Sequence, residues 1–528
     1  MAPDITVAID FGTTRSAWAY RVSGQADNKI LVRIPDTARA SPSSTTKTET
    51  VALLNRAGRG ELLAFGPAAL QQYAEDDVEE NALFRWFKVD LCEIAPGETT
   101  VDLLTTVSTA GHVVPLLGVI TASLVYFRDD VLGFLSSTSG GTVRATDVNW
   151  VLTVPAIYDD FSKNFMRQAA YAAGMMDRVS STKLRLCLEP EAACLTVTME
   201  DNPLTCEAEG KKMMVVDCGG GTVDITTYDI LSVDPLNLAE AKAPSGGMWG
   251  STYVDKAFKR WLKDFLGDWF ETIRKTETLV SITLTWERKK AEFPGQDPTQ
   301  PLRLIFSDLA QYGMTLQDIE VNPVLSLTFS HGPLQGLRAG HNGKVPSSCR
   351  VGGKKFMITL PPALVESFFK PTLDKIADCL RKVRRDPAMQ NLHRVYVVGG
   401  FSRCALLREM VQVELHHPTC RVVHAHEPDT AIVKGAVMFA EKATMFNSRK
   451  ARLTYGNRFG VPFNDKDPEH RRRRDKGGIF INESGAAYIN GGFDVHISIG
   501  DDIPADGVLT RRSYIPLSLD KTRTSVSI

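Results

Sequence analysis

Apolar and polar positions alternate along residues 1–35 like a meander of short strands with a tight turn at Asp10 inside it. The period then lengthens. Tyr73 to Lys88 reads as a polar helix with its aromatic residues on one stripe, and Val119 to Leu135 shows helical spacing. Asn149 to Val154 is a strand stopped by Pro155, and Asp159 to Ala173 an amphipathic helix ended by Gly174. Leu184 to Leu188 is a strand, after which Pro190 opens a helix of small residues. Tyr253 to Arg274, Leu279 to Glu292 and Leu364 to Arg384 read as helices. Residues 294–355 read as short strands with a loop at His331 to Lys344. Arg394 to Val398 is a buried strand leading through Gly399-Gly400 to a helix at Ala405 to Leu415. A strand at Arg421 to Ala425 precedes the helix Thr430 to Lys442. Beyond residue 445 helical periodicity fades: Arg452 to Pro462 is extended, Asp465 to Lys476 is a charged loop, and short alternating runs follow.

Within this pattern one phrase is written twice. Val7-Ala8-Ile9-Asp10-Phe11-Gly12-Thr13-Thr14 is echoed by Val215-Val216-Asp217-Cys218-Gly219-Gly220-Gly221-Thr222. Each is an apolar strand ending in Asp, then Gly and Thr in a turn. A second phrase also repeats: Leu188-Glu189-Pro190 and Glu427-Pro428-Asp429 each join a strand to a helix, with Pro suited to the first helical turn. Two copies in the same order predict two similar α/β lobes gripping one polyphosphate from both sides.

Composition narrows the class. With 528 residues, 43% apolar and 23% charged, the chain is expected to be a soluble protein of two to four domains or lobes. A net charge of −1 gives no electrostatic reason to expect nucleic acid or an anionic membrane. The most apolar stretch, Val113 to Phe127, contains Pro115 and is short for a membrane span. No signal-type segment is read at the N-terminus. Nine scattered cysteines without a C-x-x-C pair favour a reducing, cytoplasmic setting over a disulfide framework or zinc site. The run Arg471 to Arg474 reads as a nuclear signal, an anion patch or a solvated loop, and the nearby Glu469 and Asp475 favour the loop.

The candidate chemistry sits at the repeated turns. Carboxylates at strand ends suit Mg²⁺ held through its water shell, which points to Asp10 and Asp217. Gly12, Thr13 and Thr14, and Gly219, Gly220, Gly221 and Thr222, offer backbone N–H groups and hydroxyls to phosphate oxygens. Gly399-Gly400 bares backbone for a base and sugar. Cys218 reads as a small buried hydrophobe rather than a redox thiol.

Five ordered motifs carry a resemblance: Asp10 to Thr14, Glu189 to Ala193, Asp217 to Thr222, Val397 to Arg403 and Asp429 to Gly435. In this order they resemble the actin/sugar-kinase/heat-shock ATPase superfamily over residues 4–442. Val154-Pro155-Ala156 and Trp286 to Lys290 resemble the seventy-kilodalton heat-shock proteins, and the short tail with Arg452 to Gly456 is similar to their divergent type-twelve branch. The resemblance implies an actin-like fold of duplicated ribonuclease-H-like lobes, with ATP or ADP and Mg²⁺ between them. By it, Asp10, Glu189, Asp217 and Thr222 serve the metal shell and the attacking water. Glu287 and Lys290 flank the adenosine, and Gly399, Gly400, Arg403 and Asp429 line the adenine and ribose. Ala192, Ala193, Gly435 and Ala436 let the connecting helices touch at a hinge.

Several positions depart from that pattern. The catalytic lysine expected after Gly66-Pro67-Ala68-Ala69 is Leu70, which cannot neutralise phosphate charge. Lys88 has two readings, a lysine that reaches into the site in its place or a surface helix lysine, and the second is favoured. Ala291, Pro294 and Phe401 alter the adenosine side, and neither the acidic-aliphatic linker nor a Glu-Glu-Val-Asp ending is recognised. The expected organisation is a nucleotide-binding domain over 1–445, with lobe I about 1–214, lobe II about 215–425 and a connecting helix 428–442, followed by a short β-rich tail over 446–528. The expected function is a chaperone-like protein with weak Mg²⁺-dependent ATP hydrolysis that acts on client proteins, with cochaperone docking left open. A non-hydrolysing ATP sensor or scaffold, or a small-molecule kinase, are the alternatives.

Overall fold

A computed structural model of the chain describes residues 4–24, 29–33, 46–55, 60–75, 81–92, 100–200, 208–273, 276–294, 299–307, 350–352, 355–481, 485–504, 511–514 and 524–527. It is a mixed α/β protein with several sheets, two of them large.

The first large sheet is built from β1 (Ile5–Phe11), β2 (Arg15–Val22), β3 (Leu31–Arg33), β4 (Val148–Val154) and β5 (Leu184–Leu188), in the order β5-β4-β1-β2-β3, with the short strand Thr48–Glu49 also pairing β2. The β5-β4-β1 pairs are parallel and the β1-β2-β3 pairs antiparallel. The second sheet uses β6 (Lys212–Cys218), β7 (Val223–Val233), β8 (Leu236–Gly247), β9 (Leu392–Val398) and β10 (Arg421–His424), in the order β10-β9-β6-β7-β8. Its pairing senses are the same: two parallel, then two antiparallel. The repeated phrase thus sits at the same topological place in each sheet. Asp10 is the penultimate residue of β1 and Asp217 that of β6. Residues of β1 and β6 are buried on both faces, which explains runs such as Val215-Val216 in place of strict alternation. Two later strands extend the second sheet: β11 (Phe446–Lys450) runs parallel to β8, and β12 (Asp502–Pro504) pairs antiparallel with β11.

The helices considered below are α1 (Pro67–Glu75), α2 (Leu116–Ser139), α3 (Asp160–Ala172), α4 (Glu189–Glu200), α5 (Thr252–Leu266), α6 (Glu277–Glu292), α7 (Pro362–Arg385), α8 (Ala405–Leu415), α9 (Ala431–Lys442) and α10 (Pro468–Asp475). The α3 helix begins where Asp159 accepts the Ser162 N–H at 2.8 Å and stops at Gly174, whose φ of 70° suits glycine. Its Phe165, Met166, Ala169 and Ala170 join α2 and the β1–β4 core around Phe11 and Trp150. The second sheet has its own core, in which Phe258 of α5 stacks on Trp286 of α6 at 4.2 Å between ring centres and Phe368 of α7 meets Trp286 edge-on. Full burial of one such side chain is worth about 1.5–3 kcal/mol. The α4 and α9 helices share a third core with residues of both sheets, including Ala8, Val151, Val215 and Val398. A Cβ on Gly435 would strike the Ala192 carbonyl, so this crossing depends on glycine. Thr196 adds a hydrogen bond to the Ala431 carbonyl at 2.6 Å.

Several expectations are corrected. Tyr73 to Lys88 is no single helix: α1 ends at Glu75, and Asn81–Arg85 is a strand paired with Val51–Asn55. Trp86 then takes φ 60°, and Phe87–Cys92 is a 3₁₀ turn. Tyr253 to Arg274 breaks at Gly267, with a short helix Asp268–Ile273 after it. The charged loop around Arg471 is α10, capped by Asp467 with Pro468 in its first turn and an ion pair from Arg473 to Glu469 at 2.9 Å. The loop His331 to Lys344 lies outside the described residues. Among the described residues no helix is long and apolar enough to cross a membrane.

Candidate functional site

The two repeated turns face each other across a cleft of about 1400 Å³. A Cβ on Gly220 would collide with the Thr14 side chain, and one on Gly221 with that of Thr13, so bare glycine lets the turns approach. Each turn is braced from behind. Thr50 donates to the Gly12 carbonyl at 2.8 Å, and its N–H to the Thr14 carbonyl at 2.9 Å. The N–H groups of Gly250, Ser251 and Thr252, entering α5, bind the carbonyls of Gly221, Gly219 and Gly220. Gly399 adopts φ 81° beneath Asp217, where any Cβ would strike that carboxylate.

Asp10, Gly12, Thr13, Thr14, Glu189, Asp217, Gly219, Gly220, Gly221, Thr222, Glu287, Lys290, Gly399, Gly400, Arg403 and Asp429 all line this cleft. Their settings differ. Asp10 is buried; its Oδ1 accepts from Thr153 at 3.0 Å and its Oδ2 from Lys47. Glu189 accepts from Lys88 at 3.0 Å. Asp217 is buried, and its Oδ1 has no hydrogen-bond partner. Arg403 and Asp429 pair at 2.7 Å beside Gly400. Lys290 is committed to Asp255 at 2.7 Å, and Trp286 also donates to Asp255, at 2.8 Å. Glu287 accepts from Arg85 on both carboxylate oxygens, at 2.8 and 2.9 Å.

Burial dominates the electrostatics. It pushes Glu189 up to about 7 despite Lys88, and raises Asp217 and Asp224 above the usual carboxylate range. Burial alone would lower the Lys47 amine, but the Asp10 charge and hydrogen bond hold it above its ordinary value. The Cys218 thiol is driven up by burial, in keeping with a packing role.

Two lysines correct the sequence reading. Lys88 is a buried residue facing Glu189, its amine about 6 Å from the Phe11 and Tyr158 rings. Lys47 was not singled out at all. Both line the cleft, as does Leu70. Asp224 was also missed: it is buried and accepts the Ile157 N–H at 2.7 Å. Its signal was the period of two, since it shares a strand face with Thr222.

Whether Mg²⁺ and a nucleotide suit this cleft can be judged from the donors. Among the described residues no group of three or more His, Cys, Asp or Glu is placed to ligate a metal directly. Buried Asp217 Oδ1, lacking a partner, and the Asp10 carboxylate are oxygen acceptors suited to a hydrated hard cation. The facing glycine-threonine turns supply phosphate-sized backbone approach. The residues fit the group.

Comparison with known proteins points the same way. A family model described as Hsp70 protein matches residues 129–241. The chain is similar to heat shock 70 kDa protein 12A of Homo sapiens, 29% identical over 97% of this chain and 79% of that protein. Heat shock 70 kDa protein 12B of Homo sapiens is 28% identical over 99% of this chain and 80% of its own length. Chaperone protein dnaK1 of Prochlorococcus marinus is 23% identical over 82% of this chain and 56% of its own.

Proposed function

We propose that this chain, similar to the type-twelve branch of the Hsp70 proteins, is an Hsp70-like protein that binds Mg²⁺-ATP between two duplicated lobes and hydrolyses it slowly to drive their opening and closing. The observation that carries this reading is the pair of matched Asp-Gly-Thr turns, one from each sheet, meeting at Thr13–Gly221 and Thr14–Gly220.

In this reading residues up to about 214 form lobe I and about 215–425 lobe II, with α9 as the second connecting helix and 446–528 as a reduced substrate-binding-like tail. The turns hold the β and γ phosphates. Asp10 and Asp217 hold the metal through water, which neutralises charge on the phosphates when bound. Glu189, Asp217 and Thr222 orient the attacking water. With burial holding Glu189 near 7, it can take a proton from that water. Gly399 and Gly400 admit the nucleoside, and Arg403, anchored by Asp429, faces it from the open side. Glu287 and Lys290 act less directly: the first ties α6 to Arg85 across the cleft mouth, and the second fixes α6 to α5 through Asp255. The lobes pivot on the α4–α9 crossing. A client protein and a cytoplasmic setting complete the proposal, resting on the tail and on the cysteine usage.

Single-turnover hydrolysis of labelled ATP with Mg²⁺, following bound and released phosphate together, tests it. Bound ATP that is cleaved supports the reading; no binding by the folded chain overturns it. Leu70 in the cleft favours one second reading, a nucleotide-gated scaffold without turnover, for which bound ATP would stay intact.

A further inference from the structure

Two of the cleft's acids are held by amines from parts of the chain remote in sequence. Lys47 reaches Asp10 from the segment before the strand Val51–Asn55, and Lys88 reaches Glu189 from the 3₁₀ turn after Trp86. Both amines are nearly shut from solvent, with side-chain exposures of 13% and 2%. Both stand in the same cleft as the facing turns, where α1 presents Leu70. Asp10 is the carboxylate to which the metal role falls, so Lys47 and a divalent cation would claim the same oxygen. Two positive charges cannot share it cheaply in a poorly solvated site. A lysine, however, is a point charge on a flexible four-carbon stem with three donors.

We infer that Lys47 and Lys88 are exchangeable counter-ions, which neutralise Asp10 and Glu189 while the cleft is empty and turn to phosphate oxygens when a divalent cation and a nucleoside triphosphate arrive. The inference rests on the ATP reading above and deepens it. It gives the cleft the phosphate-directed positive charge that Leu70 does not, from two positions rather than one. It also makes metal and nucleotide enter together. Metal with a triphosphate offers the displaced amine a phosphate oxygen, which metal alone does not.

The test uses the full chain. Mn²⁺ alone is titrated and free Mn²⁺ followed by electron paramagnetic resonance for wild type, Lys47→Met, Lys88→Met and Lys47→Arg. ATP affinity in Mg²⁺ is measured on the same proteins. The methionine variants should bind Mn²⁺ at least ten-fold tighter and Mg²⁺-ATP at least ten-fold weaker, with Lys47→Arg close to wild type. Opposite signs are the signature, because a lysine that only holds the fold together would weaken both. Mn²⁺ affinity unchanged or reduced in both folded methionine variants overturns the exchange. Should those variants not fold, wild type decides: labelling of Lys47 and Lys88 by an amine-reactive reagent should rise with Mn²⁺ and fall when ATP is added, and labelling indifferent to Mn²⁺ overturns the inference. A wild type that binds no ATP overturns the nucleotide reading instead, while the Mn²⁺ arm still judges the competition.

Discussion

The turn after β1 and the turn after β6 share sequence grammar, strand position and sheet topology, yet their acids live differently. Asp10 has Lys47 on one oxygen and Thr153 on the other. Asp217, equally buried, leaves Oδ1 with no partner. Two other buried acids, Glu191 and Glu240, also differ in how they are held. Glu191 is held by two bonds from Arg449, at 2.6 and 3.0 Å, whereas Glu240 accepts the Lys450 N–H and is pushed by burial up to about 7. A duplicated scaffold therefore does not duplicate its electrostatics. Asp10 is satisfied within the protein, whereas Asp217 keeps one oxygen without a partner and burial opposes its ionisation.

Substituting the paired acids should separate them. Asp10→Asn leaves the Lys47 amine buried against a neutral amide, and a loss of about 3–5 kcal/mol in urea denaturation is expected. Arg449→Met should cost about 3 kcal/mol by the same logic applied to Glu191, reduced because Arg449 is a third exposed. Glu240→Gln should act with the opposite sign and only at higher pH. The unfolded chain ionises near 4.5 and the folded one near 7, so the native state holds the proton longer and stability falls as pH rises through that window. Comparing unfolding free energy at pH 5 and pH 8, the variant should lose less than wild type by the order of 2–3 kcal/mol. Asp217→Asn should be the smallest effect, a slight gain near neutral pH in the ligand-free protein, since the amide has no ionisation for burial to oppose. Equal and same-signed responses at Asp10 and Asp217 would break the comparison.

What could be read from the chain follows how local its causes are. Leu184–Leu188 and Ala405–Leu415 are legible because their apolar period and flanking residues specify them. The strand Asn81–Arg85 is misread as helix because its reason lies in pairing with Val51–Asn55, a distant segment. The α10 helix did carry a local sign, Asp467-Pro468-Glu469, obscured by its four arginines. At the cleft, the glycine and acid positions are legible because turns demand particular residues. Lys47 and Lys88 are not: a lysine's burial depends on partners 37 and 101 residues away. Asp224 was hidden by its more conspicuous neighbour Asp217, although both belong to the same hairpin.

The strand β11 lies between β8 and β12 in the second sheet, and residues in it and just after it reach back to the first part of the chain. Arg449 grips Glu191 across 258 residues of chain, and Arg452 donates to the Ala156 carbonyl across 296. Seen from the ribosome, this means that β8 emerges with an open edge and Glu191 without its cation, and both must wait for nearly two hundred further residues or more to be made. Loop closure over such separations is slow compared with local pairing. During synthesis this protein therefore spends an extended interval as a half-finished sheet with a buried-to-be charge still in water, the very kind of surface that other proteins' exposed strands would join.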